Sequence, residues 1–194
     1  RDRVVHLGTP CSRMSVVGPR NIDPATAAQN AFTFKVAAHQ DAEGLGASIE
    51  NPGGTLLIEK EGFIDVCGTM ERPKPGWNFY RSHGCQLALE CPKPQGAYTP
   101  FEPIQKSALW IANFDLAIME LRCRNPKALV HSAHVHKPVR GTVRTPEGWT
   151  DVSKLSGRYT EVQGAVYGKA CQAFVERAER IEKNRPETAL SRMA

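Results

Sequence analysis

Residues 3–54 read as a strand, a polar loop, a helix and a second strand in immediate succession. Such a unit pairs its strands in parallel, because the return path needs the length of a helix rather than a hairpin turn. The first strand is the apolar run from Val4 to Leu7, cut off by Gly8-Thr9-Pro10-Cys11. Ser12 to Asp23, with Gly18, Pro19 and Asn21, is a polar loop of the kind that lies over a site. From Pro24 to about Ala42, Ala27, Ala28, Phe32, Phe34, Val36, Ala37 and Ala38 predict a helix with proline in its first turn. Gly44 and Gly46 end it. Ala47-Ser48-Ile49 then predicts a short strand, stopped by Glu50-Asn51-Pro52-Gly53-Gly54.

The rest continues the alternation. Leu56, Leu57 and Ile58 could extend a helix, whereas Arg72-Pro73-Lys74-Pro75-Gly76 is loop. Asn78 to Leu89 predicts a strand, Glu90 to Pro103 a proline-rich loop, and Ala108 to Ala112 a buried strand. Asp115 is expected to cap a helix over Leu116–Arg122. The stretch 124–154 is irregular and rich in His and Arg. Tyr159 to about Lys183 predicts an amphipathic helix carrying Val162, Val166, Ala170, Phe174 and Ile181. We expect one partial domain over 1–183 and a disordered tail over 184–194. The fold class is α/β: a partial Rossmann-like sheet of mostly parallel strands flanked by helices. Because the chain starts with Arg1, already in a strand-like run, an amino-terminal part is expected to be missing.

Composition adds outer bounds. The 194 residues are 41% hydrophobic and 23% charged, which suits a globular core. No apolar stretch approaches the roughly 20 residues of a membrane span, so no membrane partner is expected. The net charge of +5 suits a polyanionic partner such as DNA. Six scattered cysteines without a CxxC pair argue for a reducing, intracellular compartment. A monomer is expected.

In an open α/β sheet, chemistry gathers at the carboxyl ends of the strands. Two such ends here carry polar signatures, Pro10-Cys11 and Glu50-Asn51-Pro52. Parallel neighbours would bring a thiol and a carboxyl to one edge. That pair could add to an electron-poor ring and protonate it at once. Taken singly, Cys11 could be an inert strand-end cysteine and Glu50-Asn51 a turn cap.

Pro10-Cys11-Ser12-Arg13-Met14-Ser15 resembles the nucleophile loop of DNA cytosine-5 methyltransferases, Pro-Cys-Gln-x-Phe-Ser. Glu50-Asn51-Pro52 resembles their Glu-Asn-Val, at a similar separation from the cysteine. More loosely, Ile104-Gln105-Lys106-Ser107 before the strand at Trp110 looks like their Gln-x-Arg-x-Arg region. His134-Val135-His136, Arg140-Gly141 and the helix led by Tyr159 are similar to divergent short forms from phages and mobile elements. The resemblance implies that Cys11 attacks carbon 6 of a flipped cytosine while Glu50 holds and protonates ring nitrogen 3. Carbon 5 would then take a methyl group from S-adenosylmethionine. Asn51 would orient the Glu50 loop, and Pro10, Ser12, Arg13, Ser15 and Pro52 would border the base. Gln105 matches the family's glutamine, and Lys106 and Arg140 are implied phosphate contacts. Gly8, Pro10, Gln163 and Gly164 would border the cofactor.

Ser107 and Leu109 stand where that family carries arginines, and no Gly-rich cofactor loop follows a strand. Two other readings therefore stay open: a nucleic-acid-binding domain without catalysis, and an unrelated α/β cysteine enzyme using a histidine base. Cys123, His131, His134 and His136 have the composition of a zinc site, a minority reading beside that of a polar segment.

Overall fold

The computed structural model describes residues 3–9, 23–92, 101–104, 106–123, 141–145, 148–155, 157 and 159–184. The expected strand–helix–strand unit is present. β1 (Val4–Gly8) lies parallel to β2 (Gly46–Pro52), with Gly8 opposite Glu50, and α1 (Pro24–Ala42) connects them. Asp23 caps α1, its carboxylate accepting the Thr26 amide at 2.8 Å, and Pro24 fills a first-turn position that has no amide partner to lose. Gly44, at φ +66°, makes the left-handed turn that releases the chain into β2.

The other two strands of the main sheet change its character. β6 (Ser107–Ala112) pairs antiparallel with β2 on one side and with β3 (Asn78–His83) on the other. The order is β1-β2-β6-β3. Three strands thus point one way, but only the β1–β2 pairing is parallel, so the expected mostly parallel pairing is corrected. Sequence periodicity cannot see direction, because a buried strand reads the same either way.

Strand alternation sorts the two faces. Leu7, Ala47, Ile49, Phe79, Leu109 and Ile111 pack with Phe34 and Ala37 of α1 and with Phe63 and Cys67 of α2 (Glu61–Cys67). Val4, Tyr80, Ala108, Trp110 and Ala112 pack with Val166, Tyr167, Ala170 and Phe174 of α4 (Glu161–Lys183). Each fully buried large side chain contributes about 1.5–3 kcal/mol. Thr160 caps α4 by accepting the Gln163 amide at 3.0 Å. Val162 and Ile181, expected on the apolar face of α4, are instead exposed. The packed seam runs through Val166, Ala170 and Phe174, each four residues from the next.

Three further expectations are corrected. The strand from Asn78 ends at His83, where the chain tightens into a single 3-10 turn over Gly84–Leu87. The expected loop over 90–103 contains a small hairpin of β4 (Glu90–Pro92) and β5 (Phe101–Pro103). The helix expected over 116–122 is only a 3-10 turn, Ala117–Met119, although Asp115 does cap it at 2.8 Å. Buried Leu116 and Met119 hold that turn against the sheet, and the short segment has no second apolar row to extend it. Within the segment expected to be irregular, β7 (Thr142–Thr145) and β8 (Gly148–Asp151) form a hairpin, followed by α3 (Val152–Leu155). Val143 and Val152 join Leu89 and Ile104 in a separate apolar cluster. Among the described residues no helix is long and apolar enough to cross a membrane.

Candidate functional site

The ends of β1 and β2 are tied together by one buried amide. Asn51 donates through Nδ2 to the Thr9 hydroxyl and, at 2.9 Å, to the Glu50 carbonyl. Its Oδ1 accepts from the Thr55 hydroxyl at 2.8 Å, and that hydroxyl in turn accepts the Leu57 amide at 3.1 Å. A buried carboxamide left without these partners would cost about 1–3 kcal/mol, so the network fixes the relative position of the two strand ends.

Glu50 points to the α4 face, as do His6, Ser48 and Trp110 by strand alternation. Its carboxylate accepts the Tyr159 hydroxyl at 3.0 Å. Burial raises the Glu50 pKa above the ordinary carboxyl value, only partly countered by the Tyr159 hydrogen bond and the Lys106 charge. Glu50, Ser82, Lys106, Tyr159 and Gln163 line a narrow cavity of about 40 Å³. Lys106, implied as a phosphate contact, thus faces the carboxyl.

Behind Glu50 runs a hydrogen-bond chain that sequence reasoning missed. Tyr159 spends its hydroxyl proton on Glu50, so its oxygen is an acceptor for His6 Nε2 at 3.3 Å. His6 Nδ1 is then the acceptor for the Ser48 hydroxyl at 2.9 Å, whose oxygen takes the Tyr167 proton at 2.8 Å. Between the two ends, Tyr159, His6 and Ser48 each donate one proton and accept another. Burial lowers the His6 pKa, keeping the ring in the neutral form the chain requires. Trp110 stacks on both His6 and Tyr167, with centroids 5.6 and 5.8 Å away. No motif announces this arrangement. The available signal was that His6, Ser48 and Glu50 interrupt otherwise apolar strands at positions facing the same way.

Tyr159→Phe removes an interaction that favours the charged carboxylate. The Glu50 pKa should therefore rise further, and a carboxyl-labelled NMR titration should find its midpoint displaced to higher pH.

The implied residues divide as follows. Asn51 and Pro52 lie with Glu50 at the strand end, and Lys106 lines the same cavity. Gly8 approaches the Tyr159 hydroxyl, which a Cβ there would meet at 3.3 Å, but it lines a separate cavity of about 510 Å³ with His6, Thr9 and Thr33. Gln163 and Gly164 line a neighbouring cavity of about 200 Å³, walled by His6, Trp110, Tyr159 and Tyr167. Pro10, Cys11, Ser12, Arg13, Ser15, Gln105 and Arg140 lie outside the described residues, as do His131, His134, His136 and the tail from 185. Cys123 is described; its backbone amide donates to His83 Nδ1 at 2.9 Å. No group of three metal-ligating side chains occurs among the described residues. Leu109, standing where the resembled family has an arginine, is in the core on the α1 face.

Both nitrogens of His6 are engaged in the chain above, and His39 ends α1 at the opposite edge of the sheet. Comparisons of the chain with protein-family models, with curated proteins and with solved structures return no match.

Proposed function

We propose that this chain carries the addition chemistry of a DNA cytosine-5 methyltransferase-like domain, with Cys11 as nucleophile and Glu50 as acid. The observation that carries the reading is a carboxyl biased toward its protonated form at the end of β2, directly beside the strand end that leads to Cys11. Thr9, two positions before Cys11 in the sequence, is held to Asn51 by a hydrogen bond.

In the proposed step the Cys11 thiolate bonds to carbon 6 of cytosine. The C5–C6 π electrons shift toward carbon 4, and the C4–N3 π pair moves onto nitrogen 3, which takes the Glu50 proton. Carbon 5 becomes electron-rich and so receptive to a methyl group. Re-forming the C4–N3 π bond returns the nitrogen proton to Glu50, and loss of the carbon 5 proton to water restores the C5–C6 double bond and expels the thiolate. Tyr159 holds the Glu50 carboxyl, and the neutral His6 holds Tyr159. The base must be extruded from the duplex to be reached, at a cost of a few kcal/mol.

The implied methyl donor, S-adenosylmethionine, does not fit the cavity bordered by Gln163 and Gly164. That cavity is about 200 Å³, below the roughly 300–1,000 Å³ of pockets that enclose whole ligands. No carboxylate lines it to take the cofactor's hydroxyl or amino groups. No step is routed through that group.

The test uses a duplex containing 5-azacytosine, whose ring nitrogen at position 5 makes carbon 6 more electrophilic and the adduct long-lived. A covalent complex that survives denaturation and disappears in Cys11→Ala is the expected result. Binding without capture would instead favour the non-catalytic nucleic-acid-binding reading, which Leu109 in place of an arginine supports.

A further inference from the structure

The β7–β8 hairpin presents an outer face that the packing of the protein does not use. Alternation turns Val143 inward to Leu89, Ile104 and Val152, and turns Arg144 and Trp149 outward as a cross-strand pair. Trp149 is 75% exposed, whereas the other two tryptophans, Trp77 and Trp110, are 2% and 1% exposed. An indole so exposed offers a large flat face to a partner. The neighbouring charges indicate what kind of partner. Arg144 lies directly opposite Trp149, exposed Lys154 follows on α3, and the whole chain carries +5. Among the described residues of the hairpin, Asp151 is the one acidic side chain on that face.

Position gives a second argument. Leu89, which the hairpin's Val143 packs against, also lines the small cavity of Glu50. The hairpin is therefore rooted in the wall of the candidate site, at the same edge of the sheet. An extruded base leaves a gap in its stack. Aromatic and apolar side chains inserted between bases are a recurrent way to fill such gaps, with cations holding the flanking phosphates.

We propose that Trp149 stacks on DNA bases beside the extruded nucleotide, with Arg144 on an adjacent phosphate. This rests on the reading of the site above. The occupant is the exposed face of a base, and the recognition is insensitive to which base it is.

Because Trp149 is the one solvent-exposed tryptophan, intrinsic fluorescence reports on it directly. Acrylamide quenching of the full chain is measured with and without a short duplex containing an abasic site, beside an intact duplex. Saturating duplex should at least halve the quenching constant, and the abasic duplex should bind more tightly than the intact one. Trp149→Ala should weaken binding about tenfold and Trp149→Phe only about two- to threefold, since phenylalanine retains a stacking face. Arg144→Gln should lower the salt slope of binding by about one.

Unchanged quenching while a mobility shift reports binding would overturn the proposal and leave the Cys11 chemistry standing. Protection of Trp149 without covalent capture would do the reverse. Quenching that falls with protein concentration alone would assign the indole to self-association and also overturn it.

Discussion

Glu50→Gln should slow covalent capture of the azacytosine duplex by about 10²–10⁴, the usual worth of a positioned general acid. Glutamine matches the carboxyl in shape and can still accept the Tyr159 hydroxyl, so the fold should persist. What it lacks is a proton to transfer to nitrogen 3. Stability should respond in the opposite direction, and the sign follows from the raised pKa of Glu50. Between the ordinary carboxyl value and the raised one, the folded state keeps a proton that the unfolded chain has lost. The wild-type protein is thus favoured below that window and loses stability as pH rises through it. The glutamine variant has no such loss, so its stability relative to wild type should improve with rising pH across that window. Capture within twofold of wild type would remove Glu50 from the acid role. A flat wild-type stability profile across the window would contradict the burial argument.

Trp110→Ala should destabilise the fold by about 3–5 kcal/mol, read as a lower urea midpoint with an unchanged slope. The indole is buried between the sheet and α4, stacks on both His6 and Tyr167, which also touch each other, and donates to Ser82 at 2.9 Å. Alanine opens a cavity, leaves Ser82 without its donor and lets His6 tilt away from Tyr159. Trp110→Phe restores most of the volume and the stacking while losing the N–H, so it should cost about 1–2 kcal/mol. If the alanine variant does not fold, the phenylalanine variant still measures the contribution. A loss below about 1 kcal/mol for alanine would mean that the two faces of the sheet do not depend on this ring.

What could be read from the sequence was whatever depends on neighbours close in the chain. Asp23-Pro24 announced α1, Thr160 stood just before α4, and Asn51-Pro52-Gly53 marked the end of β2, each through local hydrogen-bonding or backbone chemistry. The partnership of β1 with β2 followed from the helix between them. The direction of β6 did not, because nothing in Leu109-Trp110-Ile111 distinguishes a parallel from an antiparallel neighbour. Glu50 was legible as a site residue from its place after an apolar run. Its partners were not: Tyr159 lies 109 positions away, and His6 read as an interruption of a strand. The β7–β8 hairpin escaped because Arg144 and Trp149 face outward, so only Val143 and Val152 marked it as folded, too few for a period to emerge.

The hydrogen-bond chain from Glu50 through Tyr159 to His6 joins residues 153 positions apart, and Arg3 reaches Glu182 across 179. A ribosome releases the amino terminus first and α4 last. Until α4 emerges, the carboxyl of Glu50 has no tyrosine and Trp110 has only half its covering. The site therefore cannot be completed until α4 has left the ribosome, and a nascent chain shorter than about Tyr167 presents the end of β2 before the helix that covers it is in place.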